Sequence, residues 1–378
     1  MRTSKTKQTI HKGEEMKLTV QERDRRHEAI RKMMEEKDLA ILVVASNAMW
    51  TGHVRYLSNY PPHFGYSYVV FPRDDAPTIF VFSGIQERVA AQRWISDARQ
   101  SSNYPGDIVK RIKELDYNGK KIGLVGVENI SFTIYEYMKK ELPSANFVNT
   151  NKEIFDLRMI KSPEEQAIAR ECARITDGLY SRIKEVTRVG MSEFDIYAEM
   201  DYFMRKQGVE TAFNLIGTGT YPVAPFLAPS GRVIQEGESL LVELTPRYEG
   251  YYTQLTVVTP LGEPTPKMKE FLDVGVAAQQ KGVALLKPGN KASDVANAMK
   301  EYIEKAGFAY PYRGGHSMGH DLDEPPAIVP QDETVLQPGM TIVVHPCVMD
   351  KKGDGVFIGD SYLVTETGAE PLNHTPLK

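Results

Sequence analysis

The chain is organised around one polar stretch, Gly315-His316-Ser317-Met318-Gly319-His320-Asp321-Leu322-Asp323-Glu324-Pro325-Pro326. Its two imidazoles, His316 and His320, lie four residues apart beside three acidic side chains. Its glycines let the backbone pass close to neighbouring groups. A polar loop that only turns the chain is the alternative interpretation. The crowding of acid–base groups favours a catalytic or ligand-binding role for this stretch.

The composition is that of an ordinary globular chain, with 378 residues, 41% hydrophobic content, 25% charged content and a net charge of -4. Basic residues are spread along the sequence, so neither a nucleic acid nor a membrane is predicted as a partner, and a small neutral or zwitterionic molecule fits better. Cys172 and Cys347 show no CxxC spacing, and no apolar run approaches the ~20 residues that span a bilayer. We therefore expect a reducing, cytoplasmic location without disulfides.

The first part of the chain predicts an α/β domain. Apolar runs predict the strands of one sheet at residues 39–44, 66–71, 78–82 and 121–125. Charged patterns of helical period predict helices at residues 19–36, 85–93 and 131–142. Alternation of these elements is typical of an α/β layer structure.

A helix start marks the predicted domain boundary. Ser162 suits the N-cap, Pro163 the first helical position, and Glu165 completes a capping box, so a long helix through Val186 should follow. We divide the chain into a flexible tail at residues 1–16, a first domain at 17–158 and a second domain at 159–378.

The second domain contains an internal repeat with a period of 99 residues. The repeated positions are Gly190, Asp195, Ile196, Met200 and Gly208, which recur as Gly289, Asp294, Val295, Met299 and Gly307. Each copy predicts a turn followed by an amphipathic helix that ends at a glycine, so the domain should consist of two related αβ halves.

The repeat extends to two ionisable residues in strands. Glu243 and His345 each lie six residues beyond a glycine, at Gly237 and Gly339. Equivalent strand positions project from the same face, so these side chains should meet near the pseudo-twofold axis and form a pocket. The alternative is that each is an isolated edge or solvated residue.

Several segments resemble the creatinase and Xaa-Pro aminopeptidase superfamily, whose pita-bread fold is shared with methionine aminopeptidase and prolidase. The matching segments are residues 160–165, 249–253, 315–319, 337–340 and 360–365. The resemblance covers nearly the whole chain. It implies an N-terminal creatinase-like α/β domain followed by a C-terminal pita-bread domain.

The peptidases of this superfamily hold two metal ions with two aspartates, one histidine and two glutamates. At the matching positions this chain has Glu243, Gln254, His316, His345 and Gly359. Gln254 and Gly359 fall at the bridging positions, which need anionic oxygens. A further peptidase histidine falls at Asp323. We therefore predict that two-metal peptidase activity is absent and that no cofactor is required.

Creatinase is the relevant relative by local motif, because it keeps the fold, lacks the metal set and hydrolyses a C–N bond with side chains alone. The resemblance lies in residues 250–253 and 315–319. In this chain Phe226 stands at the position of creatinase's catalytic histidine, and Thr256 and His345 stand at the positions of its two pocket glutamates. Creatine is therefore a poor substrate prediction, because its guanidinium group needs carboxylates. We expect a metal-independent hydrolase that cleaves a C–N bond of another small molecule.

The remaining ionisable residues suggest catalytic roles. His345 is the predicted base, Glu243 orients its imidazole, and His316 donates a proton or stabilises an oxyanion. The predicted substrate-binding residues are Tyr252, Gln254, Phe226, His320, Asp323, Glu324, Arg55, His63 and Phe64.

Two alternatives stay open at this point. Glu243, His316 and His345 have the side-chain types of a mononuclear site for one iron, manganese or zinc ion, in a lyase, decarboxylase or oxygenase. A catalytically inactive module that binds a peptide or protein is the other alternative.

The resemblance also implies a homodimer. In creatinase-like members of this layout, the first domain of one subunit covers the pocket of the other. The proline- and aromatic-rich loop at residues 59–66 is the predicted contributor, although it could also simply close two strands.

Overall fold

The computed structural model describes residues 17–115, 119–222 and 228–378. The predicted tail at residues 1–16 and the candidate Phe226 lie outside these ranges. Helices α1 to α10 span Val20–Glu36, Gly52–Ser58, Gly84–Ala91, Tyr104–Glu114, Phe132–Glu141, Asn151–Met159, Pro163–Val186, Glu193–Lys206, Pro266–Leu285 and Ala292–Lys305. Strands β1 to β19 span Leu39–Asn47, Tyr66–Pro72, Thr78–Val81, Asp97–Gln100, Lys121–Val125, Asn146–Asn149, Thr211–Ala212, Leu215–Gly219, Ser239–Leu244, Pro246–Tyr248, Tyr251–Tyr252, Leu255–Pro260, Gly315–Ser317, Glu324–Ala327, Thr341–Val344, Cys347–Met349, Gly355–Phe357, Gly359–Val364 and Ala369–Pro371.

The first domain is built on a mixed sheet with the strand order β4-β3-β2-β1-β5-β6. The central strand β1 pairs with β2 antiparallel and with β5 in parallel. Leu42 and Val44 of β1 belong to the core on one face of the sheet, whereas Ile41 and Val43 belong to the core on the other. Burial on both faces explains why this strand is a continuous apolar run, and the predicted strands are confirmed.

The helix start predicted at the domain boundary is also confirmed. The Ser162 side chain accepts a hydrogen bond from the backbone N–H of Glu165, and the Glu165 side chain accepts one from the backbone N–H of Ser162. Pro163 opens α7, which runs to Val186 as predicted. The domain boundary that we placed between residues 158 and 159 falls inside α6. This division of the chain stays a proposal.

The structure contains the predicted repeat. The two copies form α8 and α10, and each is preceded and followed by a glycine in the left-handed region. The φ angles are 91° and 80° at Gly190 and Gly208, and 88° and 89° at Gly289 and Gly307. Side chains with a Cβ rarely adopt these angles, which is why the glycines recur with the helices.

The second domain has a sheet with the strand order β14-β13-β15-β18-β12-β9-β8, with β19 paired to β18. Strands β12 and β18 pair at its middle. On either side of them lie β9 and β15, the two strands related by the repeat. The pseudo-twofold axis therefore passes between β12 and β18, with β9 and β15 on either side of it.

Buried ion pairs join the two domains. Arg158 of α6 donates hydrogen bonds from Nη2 to Asp321, at 2.7 Å, and to Glu324. Lys161 approaches Glu324 to 3.4 Å. We call Arg158, Asp321 and Glu324 the interdomain clamp. Burial opposes ionisation of Glu324, but Arg158 and Lys161 hold the pKa of this carboxyl below its usual range.

In the described ranges, no helix is long and apolar enough to cross a bilayer. The longest, α7, carries charged residues along its length and packs its apolar face against the sheet of the second domain. This pattern is typical of an amphipathic surface helix.

We predict that Arg158→Met lowers the free energy of unfolding by about 3–5 kcal/mol, because it leaves Asp321 without its cation and Glu324 with only Lys161 at 3.4 Å. Arg170→Met is the matched control, since Arg170 pairs with Glu370 at the exposed surface and should cost less than about 1 kcal/mol. Urea unfolding of both variants measures the difference. Equal losses would contradict a stabilising role for the interdomain clamp.

Candidate active site

The candidate site is built on one row of residues that crosses four neighbouring strands. Glu243 of β9 lies opposite Thr256 of β12, and Thr256 lies opposite Gly359 of β18. Val344 of β15 lies opposite Asp360, which places His345 next to Gly359. Residues directly opposite one another share a face, so Glu243 and His345 project on the same side of the sheet, as the repeat predicts.

Glu243 is buried, with 6% of its surface exposed. Burial raises the pKa of this carboxyl to about 8, although the nearby Arg313 guanidinium acts in the opposite direction. A carboxyl of this kind is mostly protonated at neutral pH, and its pKa lies close to the range in which proton transfer is efficient.

The two histidines form a second buried group. The rings of His316 and His345 meet edge to face with centroids 5.3 Å apart, and Phe357 packs against His345 at 4.9 Å. Burial and the Arg313 guanidinium lower the pKa of His316 to about 3. Burial makes the largest contribution to a pKa of His345 well below its usual range, and the nearby His316 and Arg313 lower it further. Both imidazoles are therefore neutral at physiological pH.

The predicted contact between Glu243 and His345 is not formed. Three strand spacings separate their backbones, which is roughly 14 Å at ~4.8 Å per spacing. The Nδ1 atom of His345 has no hydrogen-bond partner among the described residues. The prediction that Glu243 orients the His345 imidazole is corrected, because Thr256 and Gly359 lie between them.

Arg313 is a site residue that the sequence analysis missed. Its Nη1 atom lies 2.7 Å from Oδ2 of Asp323, and the two side chains are 23% and 39% exposed. Oδ1 of Asp323 lies 3.8 Å from Nδ1 of His316. The guanidinium charge opposes the raised pKa of Glu243 and contributes to the lowered pKa of His316 and His345. The arginine directly before the Gly-Gly-His sequence was the available signal.

Three predicted substrate-binding residues are instead structural. His320 contacts Arg26, the Tyr251 hydroxyl and the Gly250 carbonyl at 3.0–3.2 Å. Glu324 belongs to the interdomain clamp. Arg55 donates two hydrogen bonds of 2.6 Å to Glu210. Buried partners engage most of the polar atoms of these three side chains, and only Nε of Arg55 is without a partner among the described residues, so we correct the three assignments.

The other candidates differ in their surroundings. Tyr252 is buried against Met318 and Val343, and its ring lies 5.6 Å from the Arg247 guanidinium. Gln254 donates from its amide to the Thr256 hydroxyl at 3.2 Å. His63 and Phe64 lie exposed on the first domain.

Comparison with known proteins identifies the family. The model for metallopeptidase family M24 matches residues 167–366, and the model for the creatinase/prolidase N-terminal domain matches residues 26–160. The chain belongs to metallopeptidase family M24. The family resemblance and the pita-bread fold predicted from the sequence are thereby confirmed.

Individual M24 relatives are similar over most of their length. The Xaa-Pro dipeptidase of Pyrococcus furiosus is 29% identical over 93% of this chain and 98% of that protein. The ectoine hydrolase of Halomonas elongata is 29% identical over 67% of this chain and 69% of that protein. The solved Xaa-Pro dipeptidase of Bacillus anthracis superposes with a TM-score of 0.83 at 26% identity, covering 94% of this chain and 99% of that one.

These findings correct two predictions. We predicted a metal-independent enzyme that is not a peptidase, and we predicted no cofactor. The M24 family model describes metallopeptidases, and relatives from several organisms are named Xaa-Pro dipeptidase. Both predictions are wrong, because membership of this family implies a metal ion and hydrolysis of a peptide bond. Because the relatives are named as dipeptidases and a hydrolase, the inactive-module alternative also loses support.

The donor atoms of this chain nevertheless do not fit the metal centre that the family implies. Gln254 offers a neutral amide, and Gly359 offers no side chain. A Cβ atom built on Gly359 would lie 2.2 Å from the Val344 carbonyl oxygen and 2.4 Å from the His345 Cα. In the part of the chain that the structure describes, no three His, Cys, Asp or Glu side chains converge as a metal site, and this includes the mononuclear set of Glu243, His316 and His345. We therefore derive no step through a metal ion.

We predict that His320→Ala lowers the free energy of unfolding by about 1–3 kcal/mol, because it removes buried hydrogen bonds to Arg26 and Tyr251. Turnover per folded molecule should stay within about threefold of the wild type, since losing positioned acid–base catalysis would cost far more. The exposed His374→Ala is the control and should change neither quantity. Urea unfolding and turnover are measured in parallel. A large loss of turnover at unchanged stability would restore His320 to the active site.

Proposed function

We propose that this chain is a hydrolase that cleaves a C–N bond in a dipeptide-sized substrate. The observation that carries the proposal is the set of buried, titratable groups on one face of the second-domain sheet, namely Glu243, His316 and His345. The relatives named as dipeptidases and ectoine hydrolase support the same bond type. Peptide bonds are included in the proposal.

The three side chains have separate roles in this proposal. Glu243 transfers a proton, because its pKa of about 8 lies nearest to neutral pH. His345 and His316 are neutral and serve as hydrogen-bonding groups for the substrate, since the Nδ1 atom of His345 has no partner among the described residues. Burial of all three strengthens their electrostatic effect on a bound substrate.

A panel of Xaa-Pro dipeptides and ectoine tests the proposed reaction. The purified protein is incubated with each compound, and the released amino group is measured. Parallel assays contain EDTA or added Mn²⁺, Co²⁺ or Zn²⁺, so that the outcome is independent of the metal content of the preparation. Hydrolysis of a panel member is expected. The absence of hydrolysis under every condition would contradict the proposed function.

We predict that Glu243→Gln lowers turnover by roughly 100- to 10,000-fold, because the amide cannot transfer a proton. The free energy of unfolding should change little at neutral pH, since the amide resembles the protonated carboxyl in shape and charge. The exposed Glu236→Gln serves as the matched control. Turnover retained within about threefold by Glu243→Gln would exclude its proton-transfer role.

We also propose that two copies of the chain form a homodimer. Exposed apolar side chains cluster at one edge of the first domain, where Phe64 and Phe82 make a ring contact at 5.7 Å. Phe64 and Phe82 are 53% and 54% exposed, and Met49 and Ile85 are both 73% exposed. An exposed apolar group of this kind is typical of a protein–protein interface. It includes the loop at residues 59–66.

We predict that Phe64→Glu converts a dimer to a monomer in sedimentation at micromolar concentration, because the substitution places a charge in a desolvated interface. Phe132→Glu is the control, since Phe132 is 78% exposed on α5 rather than at this edge. A wild-type protein that sediments as a monomer would argue against the dimer.

A cytoplasmic location stays part of the proposal. Cys172 and Cys347 are buried free thiols. Burial raises the pKa of Cys172 to about 11 and that of Cys347 to about 12. Both therefore stay protonated and unreactive, which is consistent with a fold that does not depend on disulfides.

A further inference from the structure

A groove lies on the second domain where α7, β12 and α9 come together. Its volume is about 600 Å³, within the range of roughly 300–1,000 Å³ that is typical of small-molecule sites. The residues that line it do not include Glu243, His316 or His345. The groove is therefore separate from the candidate active site.

The groove exists because β12 and β18 pair over a short distance only. Their ladder ends where Thr256 lies opposite Gly359. The chain before Gly359 forms β17, which pairs with β16 instead. Residues 257–260 of β12 therefore pair with β9 on one side, and no strand in the described ranges pairs with them on the other. Side chains of α7 and α9 line the opening that results.

Buried apolar side chains line this groove. Tyr180 of α7 and Val257 of β12 belong to one core cluster, whereas Leu272 of α9 and Val258 of β12 belong to another. All four are only 1–6% exposed, so packing on the far side holds each of them in place. The apolar surface is thus preformed, and a ligand that covers it removes apolar area from water.

The charged residues that line the groove are mostly cations. They are three lysines, namely Lys184, Lys269 and Lys378, and one acidic side chain, that of Asp273. Lys378 forms an exposed ion pair with Asp273, so these two charges cancel. The charge that remains is that of Lys184 on α7 and Lys269 on α9.

Neither of these two lysines is neutralised by a close carboxylate. The Lys184 ammonium lies 4.8 Å from the centroid of the Tyr180 ring and has no ion pair among the described residues. Lys269 approaches Glu263 only to 4.0 Å, and that glutamate is 97% exposed. An exposed pair of this kind is weak.

A hydrogen bond places the Lys184 charge beside the apolar lining. The Tyr180 hydroxyl and the Thr259 hydroxyl lie 2.7 Å apart, which fixes the ring against β12. The ammonium above that ring is therefore next to the buried apolar residues. An apolar ligand without charge would leave both lysines without a partner, and a cationic ligand would be repelled by them.

We propose that this groove binds an amphipathic monoanion, whose apolar chain covers Val257 and Leu272 and whose carboxylate lies near Lys184 and Lys269. The ligand class is that of small apolar carboxylates, such as medium-chain fatty acids. This second binding site does not depend on the reaction that we propose for Glu243.

Equilibrium binding of three compounds with the same eight-carbon chain tests the inference. Octanoate, octan-1-ol and octyltrimethylammonium differ only in the charge at one end. The purified chain should bind octanoate about three- to tenfold more tightly than octan-1-ol, the range expected for two exposed lysines, and octyltrimethylammonium most weakly. Added NaCl should reduce the preference, because salt screens exposed charges. Butanoate should bind at least about tenfold more weakly than octanoate, because its chain covers less apolar surface.

A double variant locates the ligand. Lys184→Gln combined with Lys269→Gln should reduce the preference for octanoate over octan-1-ol to within about 1.5-fold, with the affinity for octan-1-ol unchanged. The control combines Lys300→Gln with Lys305→Gln, which removes the same total charge from α10, outside the groove, and should keep the wild-type preference. Thermal unfolding of both double variants verifies that they are folded.

Several results would overturn the inference. A preference that persists without Lys184 and Lys269 would place the carboxylate elsewhere on the protein. Equal binding of octanoate and octan-1-ol by the wild type would remove the role of the charges, and equal binding of butanoate and octanoate would remove that of the apolar lining. No binding of octanoate at millimolar concentration would show that the groove does not take this class of ligand.

Discussion

The ion pairs of Arg158 with Asp321 and Glu324 fix the relation between the two domains. Arg158 extends from the last turn of α6 in the first domain, and both carboxylates lie in the second domain, beyond β13. Removing these charges from water is expensive, so the arrangement is stable only when every member has its partner. The same contacts position the segment between β13 and β14, which carries Asp323 to within 3.8 Å of His316. Assembly of the site therefore depends on a contact made outside it.

The fold and the chemistry of this chain follow from different parts of its sequence. Family M24 membership rests on the framework, in which two related halves meet at β12 and β18. The side chains on that framework differ from those needed for two bridged metal ions, since an amide and a glycine replace anionic oxygens. A shared fold therefore determines where a reaction takes place more firmly than how it proceeds, and the reaction must be argued from the residues at the site.

Local rules were sufficient for much of the fold. The capping box at Ser162 and the apolar run of β1 are decided by neighbours in the sequence, and the repeat follows from comparison of the chain with itself. His320 and Glu324 could not be assigned in this way, because their partners lie far away in the chain. His320 contacts Arg26, and Glu324 pairs with Arg158, which lies 166 positions before it. A cluster of ionisable residues looks catalytic until the buried cations that neutralise it are known. The pKa of Glu243 depends likewise on burial by remote segments.

The attachment of Asp323 has a consequence for how fast its ion pair with Arg313 can open. Its neighbours Asp321 and Glu324 are both bound to Arg158, so the backbone on either side of Asp323 is held in place. Release of Arg313 then requires only rotation of the Asp323 side chain, which takes place in picoseconds to nanoseconds for exposed residues, whereas loop opening takes microseconds or longer. The Arg313–Asp323 pair should thus open and close quickly, without movement of the backbone at this position.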